Sequence, residues 1–383
     1  MKKILFVTKS LDSGGTEVSL INLLKKISSN KNYDITLALL KREGIYLADV
    51  PNSVKIVEIY NDNAKKMIEP LNLSKDSKNL FFIIKKIFLK ILNKFNFKFM
   101  YNYLLENVNC LDEKFDIAID FHGYGYFGTF YLINKVNCDN KIMFVHDEKI
   151  DWFEKILSEI NKLDLILCVS ESCKKIVYNK YERYIKKADI CRNVLDVNKI
   201  VALSNEKLPL SLSKNCNLLT IGRLEYQKGY DLLIQIASKL KMNNVKFTWY
   251  IIGKGSLEQE ITADIEKYGL QENVILLGMI KNPYPYIKAC DVYVQTSRHE
   301  GYGIAIAEAR ILNKPIVATA LDCIKEQIKD NETGLLCDFI VDDFYDKISL
   351  LINDKDKSNE LIVNLKSKYN NDNNDFENII DKM

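Results

Sequence analysis

The stretch Val292-Tyr-Val-Gln-Thr-Ser-Arg-His-Glu-Gly-Tyr-Gly-Ile-Ala-Ile-Ala-Glu-Ala309 (VYVQTSRHEGYGIAIAEA) changes character halfway along. Val292–Gln295 is a short apolar run of strand type. A polar loop punctuated by Gly301 and Gly303 follows, and the small and apolar residues after it read as a buried helix. Strand, glycine loop and helix in that order make one βα unit. Glu300 stands before Gly-Tyr-Gly, and Glu308 sits among Ile304, Ala305, Ile306, Ala307 and Ala309. A carboxylate in such company is costly without a partner. Two readings follow for each acid: Glu308 holds a ligand or pairs with a base such as Arg310, and Glu300 faces a cleft or serves as a charge at a helix N-terminus.

Outward from this unit the same rhythm recurs. In the first half, candidate strands are Ile4–Val7, Ile35–Leu39, Val54–Ile59, Ile117–Ile119, Ile142–Val145 and Leu165–Val169. In the second half they are Leu218–Ile221, Phe247–Ile252, Val274–Leu277, Val292–Gln295 and Ile316–Ala318. Alternation with helix-like stretches predicts α/β architecture with two doubly wound, Rossmann-like domains, each a parallel sheet covered on both faces. The rhythm breaks at Lys207-Leu-Pro-Leu-Ser-Leu-Ser-Lys214, which places the join between Asn193 and Asn217. The expected division is residues 1–200, 201–365 and a tail, 366–383, with a polar run at 370–375 and a short helix that returns to the first domain. Ligands of such sheets sit beyond the carboxyl ends of the strands, here in the cleft between domains.

Composition narrows the class. With 383 residues the chain suits two cores. A net charge of +3 gives no basic field for nucleic acid. Nine scattered cysteines without a Cys-x-x-Cys fit reduced thiols in a cytoplasmic protein. Three histidines (His122, His146, His299) and no Cys/His cluster leave no metal signature. The apolar run Ile4–Val7 is too short for a signal peptide, and no run reaches the roughly 18–20 residues of a spanning helix. One segment stands apart: residues 78–103, KNLFFIIKKIFLKILNKFNFKFMYNY, with six lysines and no acid. On a helical wheel Leu80, Ile84, Ile87, Phe88, Ile91, Leu92 and Phe95 share a face, with Lys85, Lys86 and Lys90 largely opposite. This is either a basic amphipathic helix for an anionic bilayer surface, peripheral on the inner face of the membrane, or a helix packed on the core with a solvated lysine face.

Gly222-Arg-Leu-Glu-Tyr-Gln-Lys-Gly229 follows a strand and precedes a helix. Arg223 offers a planar fork to phosphate oxygens and Lys228 a point charge, a pair suited to a diphosphate or, more plainly, to solvent. The helix starting near Gly303 directs free N–H groups and its positive end at the same place. Carboxylates bind vicinal diols in a bidentate manner, so Glu300 and Glu308 suit a sugar ring and a ribose. Gly253-Lys-Gly255 adds a glycine turn at the same sheet edge.

Together, Gly222-Arg223…Lys228-Gly229, Ile252-Gly253-Lys254-Gly255, Asp291, and Ser297-x-x-Glu300-Gly301-x-Gly303…Glu308-Ala309…Pro315 resemble glycosyltransferase family 4, the retaining enzymes of the GT-B fold. The two glutamates match its Glu-x7-Glu signature. Ser13-Gly-Gly-Thr-Glu17 resembles its Gly-Gly-x-Glu loop. The resemblance implies a retaining hexosyltransferase that takes a nucleoside-diphosphate sugar, a UDP-sugar first of all, to a hydroxyl of a glycan or lipid-linked acceptor in cell-surface polysaccharide assembly. It implies that Arg223 and Lys228 hold the diphosphate, that Glu308 binds the ribose, and that Glu300 contacts the transferred sugar. It further implies that Gly14, Gly15 and Gly253 approach the donor, that the backbone of Tyr302, Gly303 and Ile304 binds phosphate, and that His146 lies near the sugar. Cations on the protein take the place of a metal, and no cofactor is implied. The chain departs from the pattern at Arg192-Asn193-Val194, where the family often has Pro-Asn-Gly, and near Asp322-Cys323, where a glycine pair is usual. A nucleotide-sugar epimerase or a silent partner of another transferase would share much of this pattern.

Overall fold

The structure is a computed structural model, and it describes residues 1–12, 14–68, 80–95, 97–208, 212–368 and 376–383. Of the expectations above, Ser13, residues 78–79, 209–211 and 370–375, and the side chains of Leu80, Lys90, Leu92 and Phe95 lie outside the described residues.

Two parallel sheets organise the chain. The first has seven strands in the order β3-β2-β1-β4-β5-β6-β7: β1 (Lys2–Thr8), β2 (Tyr33–Leu39), β3 (Lys55–Glu58), β4 (Phe115–Asp120), β5 (Cys138–Val145), β6 (Leu165–Cys168) and β7 (Ala188–Ile190). The second has six in the order β10-β9-β8-β11-β12-β13: β8 (Cys216–Ile221), β9 (Phe247–Ile252), β10 (Val274–Gly278), β11 (Val292–Gln295), β12 (Ile316–Thr319) and β13 (Leu335–Cys337). Every pair is parallel, from Ile4 against Ile35 and Ile117 in one sheet to Tyr293 against Ile316 in the other. Expected strands appear with ends that match or shift by one or two residues, except β5, which begins four residues before the expected Ile142. The short edge strands β7 and β13 were not expected: Ala188-Asp-Ile and Leu335-Leu-Cys are too brief for periodicity to register. The strand interiors are near-continuous apolar runs because helices cover both faces.

The strand order reverses beside β1 in the first sheet and beside β8 in the second. At each reversal, loops from the two central strands diverge and leave a crevice. Those loops are residues 9–12 and 14 after β1, 121–126 after β4, 222–229 after β8 and 296–303 after β11. The helices that matter here are α1 (Gly15–Ile27), α2 (Leu80–Phe95), α3 (Phe97–Glu106), α4 (Phe127–Lys135), α5 (Glu171–Tyr181), α6 (Tyr230–Met242), α7 (Ile304–Ile311) and α8 (Phe376–Asp381).

Helix α8 packs on the first sheet. Phe376 is fully buried and stacks on Phe6 at 5.8 Å, and the Tyr33 hydroxyl donates to Asp381. Helix α2 differs from the wheel in one respect: Lys86, grouped there with the outward lysines, is 1% exposed and turns inward with Ile83 and Leu89. Ile84, Ile87, Phe88 and Ile91 face solvent. For these four side chains, the described part of the stripe, the inward-packing alternative is not what the fold adopts. No helix among the described residues is long and apolar enough to cross a membrane.

Candidate active site

The loop after β8 is built around contacts that only glycine permits. A side chain on Gly253 would strike the Gly222 carbonyl oxygen, and its φ of 153° is one that few other residues adopt. Gly253, expected to approach a ligand, thus has a packing reason to be glycine. Gly229 takes φ 68° and starts α6 against the Thr296 carbonyl. Lys228 folds back over Gly222, and the Tyr230 hydroxyl donates to the Gly222 carbonyl.

This geometry brings Lys228 to Glu300. The ammonium lies 2.5 Å from Glu300 Oε1, and the Ser297 hydroxyl donates to the same oxygen at 2.6 Å. Gln295 in turn donates to Ser297, and the Tyr293 hydroxyl donates to Gln295. A buried relay thus runs back along β11 and holds the carboxylate in place. Glu300 is neither a bare loop charge nor a simple helix-end charge. Arg223 stands exposed on the same loop, with its guanidinium donating to Gln227 at 3.3 Å.

Glu308 lies on the first turns of α7 and is buried. Its partner is the Tyr284 hydroxyl, 3.0 Å away, and not Arg310, whose guanidinium donates to Gln327. Burial pushes the Glu308 carboxyl from its usual 4.5 up to about 7. Gly303, at φ 82°, caps α7, so the first-turn amides of Ile304 and Ala305 point out of the helix at its positive end. Gln327 donates to the Tyr302 carbonyl and braces this turn.

The first domain closes over these groups. Gly15, at the start of α1, lies against Ile304, and a Cβ there would come 2.9 Å from the Ile304 methyl. Gly301 meets the His146 backbone so closely that a Cβ would sit 2.0 Å from its carbonyl oxygen. The Glu17 carboxylate lies against Gly14, its pKa raised by burial. His146 Nε2 lies 2.6 Å from the Phe121 carbonyl, so Nε2 is the protonated nitrogen and Nδ1 carries the lone pair in the neutral ring. Burial lowers the His146 pKa to about 4, and burial together with nearby His146 does the same to His122.

Several site-facing residues escaped the sequence reading. Asp147 bridges the cleft: its carboxylate lies 2.8 Å from His299 Nδ1 and accepts from Gln227 at 3.2 Å. Asp147 directly follows His146 and Gln227 sits in the Arg223 loop, and that adjacency was the available signal. Glu326 reaches from the second domain to accept from the Glu171 and Ser172 amides at the N-terminus of α5. No local pattern announced Glu326, Tyr284 or Ser297 as partners.

On the first sheet, the loop after β4 holds three consecutive left-handed residues, Gly123, Tyr124 and Gly125. Asp120 anchors it by accepting from Thr129 and the Gly123 amide. The result is an aromatic group of His122, Tyr124, Tyr126 and Trp152, with ring centroids 5.6–6.0 Å apart. His122 Nδ1 and Trp152 Nε1 are buried within it without hydrogen-bond partners. Both His122 and Tyr124 feel the charge of Arg223 across the cleft. His122 thus stands in a site-facing cluster, while His299 is a bridging residue beside Glu300. Among the described residues no three His, Cys, Asp or Glu side chains converge as a metal site.

Known proteins resemble this chain in sequence and in fold. Residues 207–368 match the family model of the group 1 glycosyl transferases. The poly(ribitol-phosphate) alpha-N-acetylglucosaminyltransferase of Staphylococcus aureus is 28% identical over 231 residues, 59% of this chain and 43% of that one. An N-acetylgalactosamine-N,N'-diacetylbacillosaminyl-diphospho-undecaprenol 4-alpha-N-acetylgalactosaminyltransferase of Campylobacter jejuni is 32% identical over 176 residues, 46% of this chain and 47% of that one. The chain spans about half the length of the curated relatives it matches. Among solved structures, S. aureus TarM, crystallised with fondaparinux, alpha-GlcNAc-glycerol and UDP, superposes with a TM-score of 0.71 at 18% identity, over 100% of this chain and 99% of that one. The fold is GT-B.

Proposed function

We propose that this chain, whose second domain belongs to the group 1 glycosyl transferases, is a glycosyltransferase. It moves a sugar from a nucleoside-diphosphate donor to a hydroxyl of a glycan or lipid-linked acceptor, with retention at the anomeric carbon. The observation that carries this reading is the convergence of Lys228, Arg223 and the N-terminus of α7 on one crevice. Glu300 and Glu308 flank it, and Gly15 closes it from the other domain.

In this scheme the diphosphate lies over the Ile304 and Ala305 amides. Arg223 swings from Gln227 onto it, and Lys228 is shared between Glu300 and phosphate. The Glu308–Tyr284 pair takes the ribose diol. Glu300, held by Ser297, takes hydroxyls of the transferred sugar. The neutral His146 offers its Nδ1 lone pair to the same ring. The bond from the anomeric carbon to phosphate oxygen breaks as positive charge develops on the sugar. The three cationic elements stabilise the departing diphosphate: Lys228 and the helix end are already in place, and Arg223 joins them when the donor binds. The acceptor oxygen bonds to the anomeric carbon on the same face, and its proton passes to the leaving phosphate oxygen. Closure of Gly301 onto His146 excludes water that would otherwise hydrolyse the donor.

UDP is the first nucleotide to test, since TarM was crystallised with it. The C. jejuni and S. aureus relatives, named for lipid-linked and polymer acceptors, make cell-surface glycan assembly the first setting to examine. The aromatic group at His122 and Trp152 faces the acceptor side, with ring faces for a sugar and two polar atoms in need of partners. The test is incubation with labelled UDP-sugars, with and without a bacterial glycolipid extract. Donor- and acceptor-dependent release of UDP with label entering the acceptor is the expected result. Appearance of a free sugar isomer would mean an epimerase, and ligand binding without turnover would mean a silent partner.

A further inference from the structure

We infer that Asp147 is a positioning residue for Arg223: acting through the Gln227 side-chain amide, it sets where the guanidinium waits for a diphosphate. The inference rests on the transfer reading for the diphosphate itself.

Asp147 follows β5 in the first domain, and Gln227 and His299 stand on two crevice loops of the second. The Asp147 carboxylate is 7% exposed, and both of its oxygens are engaged. Oδ1 accepts from the Lys149 amide at 3.0 Å and lies 2.8 Å from His299 Nδ1, which is the donor where it faces a carboxylate. Oδ2 accepts from Gln227 Nε2 at 3.2 Å. The same Nε2 donates to the His299 carbonyl at 3.0 Å. Both hydrogens of the amide nitrogen are thereby used, each on an oxygen, so the amide sits only one way round. Its own oxygen, Oε1, is left to face Arg223, whose Nη2 donates to it at 3.3 Å.

The type of each residue has a consequence for the arginine. Arg223 is exposed, and a long exposed side chain loses rotamer freedom when it grips a ligand. Gln227 removes part of that loss beforehand. It holds one nitrogen of the fork with a neutral oxygen at long range, so a diphosphate, which makes charge-assisted bonds, takes the guanidinium from it. A carboxylate in the same place would compete with the ligand. Glu225, two residues along the loop, is taken up by the Ser256 amide and hydroxyl. Because Asp147 belongs to the first domain, the waiting position is complete only where that domain meets the second. Closure of the cleft and readiness of the arginine are then one event.

Asp147→Asn tests this through the sign of its effect. The oxygen of the new side chain has to stay where the Lys149 amide and His299 point, which turns its NH2 on Gln227 Nε2. Reversing the Gln227 amide relieves that contact only by setting its oxygen against the His299 carbonyl and its NH2 against Arg223. Removing a negative charge beside an anion site should, by Coulomb's law alone, tighten anion binding. The network predicts the reverse.

The experiment is isothermal titration calorimetry of the full chain with UDP, GDP and ADP, each variant being read with the nucleotide that wild type binds and at a temperature where its melting curve shows it folded. Asp147→Asn should bind about fivefold more weakly than wild type, and so should Gln227→Leu, which removes the amide and leaves the charge alone. In an Arg223→Ala background neither change should weaken binding further, because no guanidinium is left to position. Should Asp147→Asn fail to fold, Gln227→Leu carries the same cycle. Tighter or unchanged binding by either single variant would overturn the inference. So would an equal loss in the Arg223→Ala background, the mark of a merely structural role. Undiminished binding by Arg223→Ala alone would instead remove the diphosphate role of Arg223 and the inference with it, and a wild type that binds none of the three nucleotides would end the transfer reading as well.

Discussion

The two crevice edges handle charge in opposite ways. On the second sheet the crevice loops carry ion pairs: Lys228 with Glu300, and Arg298 of the same loop as Glu300 with Asp231 at 2.5 Å beneath the Tyr226 ring. On the first sheet they are titratable but held toward neutrality. Burial pushes Asp120 up to about 6 and His122 and His146 down to about 4. Under the proposed transfer, the contrast follows from what each edge would do. A leaving diphosphate needs fixed positive charge that is already oriented. A neutral sugar hydroxyl needs hydrogen-bonding and ring surfaces that do not attract water or counterions. One cleft thus joins an electrostatic wall to a nearly neutral one.

The sharpest way to break this contrast is to discharge the ionic wall. Lys228→Ala should lower donor-dependent UDP release by about a hundredfold or more. The melting temperature should also fall, because the buried Glu300 loses its cationic partner, so turnover is compared where the variant is still folded. A variant with undiminished turnover would show that the diphosphate is held elsewhere.

Forcing the walls apart comes next. Gly301→Ala puts a methyl group against the His146 carbonyl, a backbone atom that cannot swing aside. Turnover is expected to fall more than tenfold, with a larger radius of gyration in small-angle scattering. Glycine's left-handed freedom is not at issue at Gly301, so loss of activity without expansion would point to local damage instead.

Glu308 sharpens the comparison because burial drives this acid of the ionic wall toward neutrality. Its pKa is higher folded than unfolded. Its contribution to stability is therefore fully present below pH 4.5 and is lost as pH rises through about 7. The loss is about 3 kcal/mol by pH 8. Glu308→Gln keeps an oxygen to accept from Tyr284, so it should melt several degrees higher than wild type at pH 8 and at the same temperature at pH 4.5. The same variant should bind UDP more weakly. Equal melting curves at pH 8 would mean that the carboxylate is stabilised by a partner not seen here.

On the neutral wall the sign is reversed. His122 and His146 have depressed pKa values, so the stability tied to their neutral forms is present above pH 6.5 and lost as pH falls toward 4. His146→Asn should flatten that acid limb in a pH series of melting temperatures. The smallest expected effect is that of Trp152→Phe. It keeps a ring but removes the orphan donor, and it should raise the acceptor KM a few-fold with donor hydrolysis unaltered. A change confined to the donor KM would remove this ring from the acceptor side.

How much of this was legible in the chain differs between the two walls. The ionic wall is written in short spans: Gly222 to Gly229 lie on one loop, and Glu300 to Glu308 on one loop and helix. Residue type and spacing along a βα unit place such groups at a strand's carboxyl end. The strand pattern likewise predicted parallel sheets, because doubly covered strands must be apolar throughout. The partners were not legible. Glu308 was weighed against Arg310, its near neighbour, yet it meets Tyr284, 24 residues away. Asp147 and His299 meet across 152 residues. The stripe on α2 could be read from its period, but its direction could not. A helical wheel gives the relative phase of side chains and says nothing of which phase faces the core.

Sequence alone determined the alternation of strand and helix, the glycines at the crevice loops, and the stock of cations and acids on the second sheet. These depend on local sterics and short-range periodicity. Tertiary structure alone decided which acid meets which donor, which titrating groups lose their charge to burial, and that Lys86 turns inward while Phe88 looks out. Those outcomes depend on desolvation and on contacts between segments far apart in the chain, and no local rule contains them.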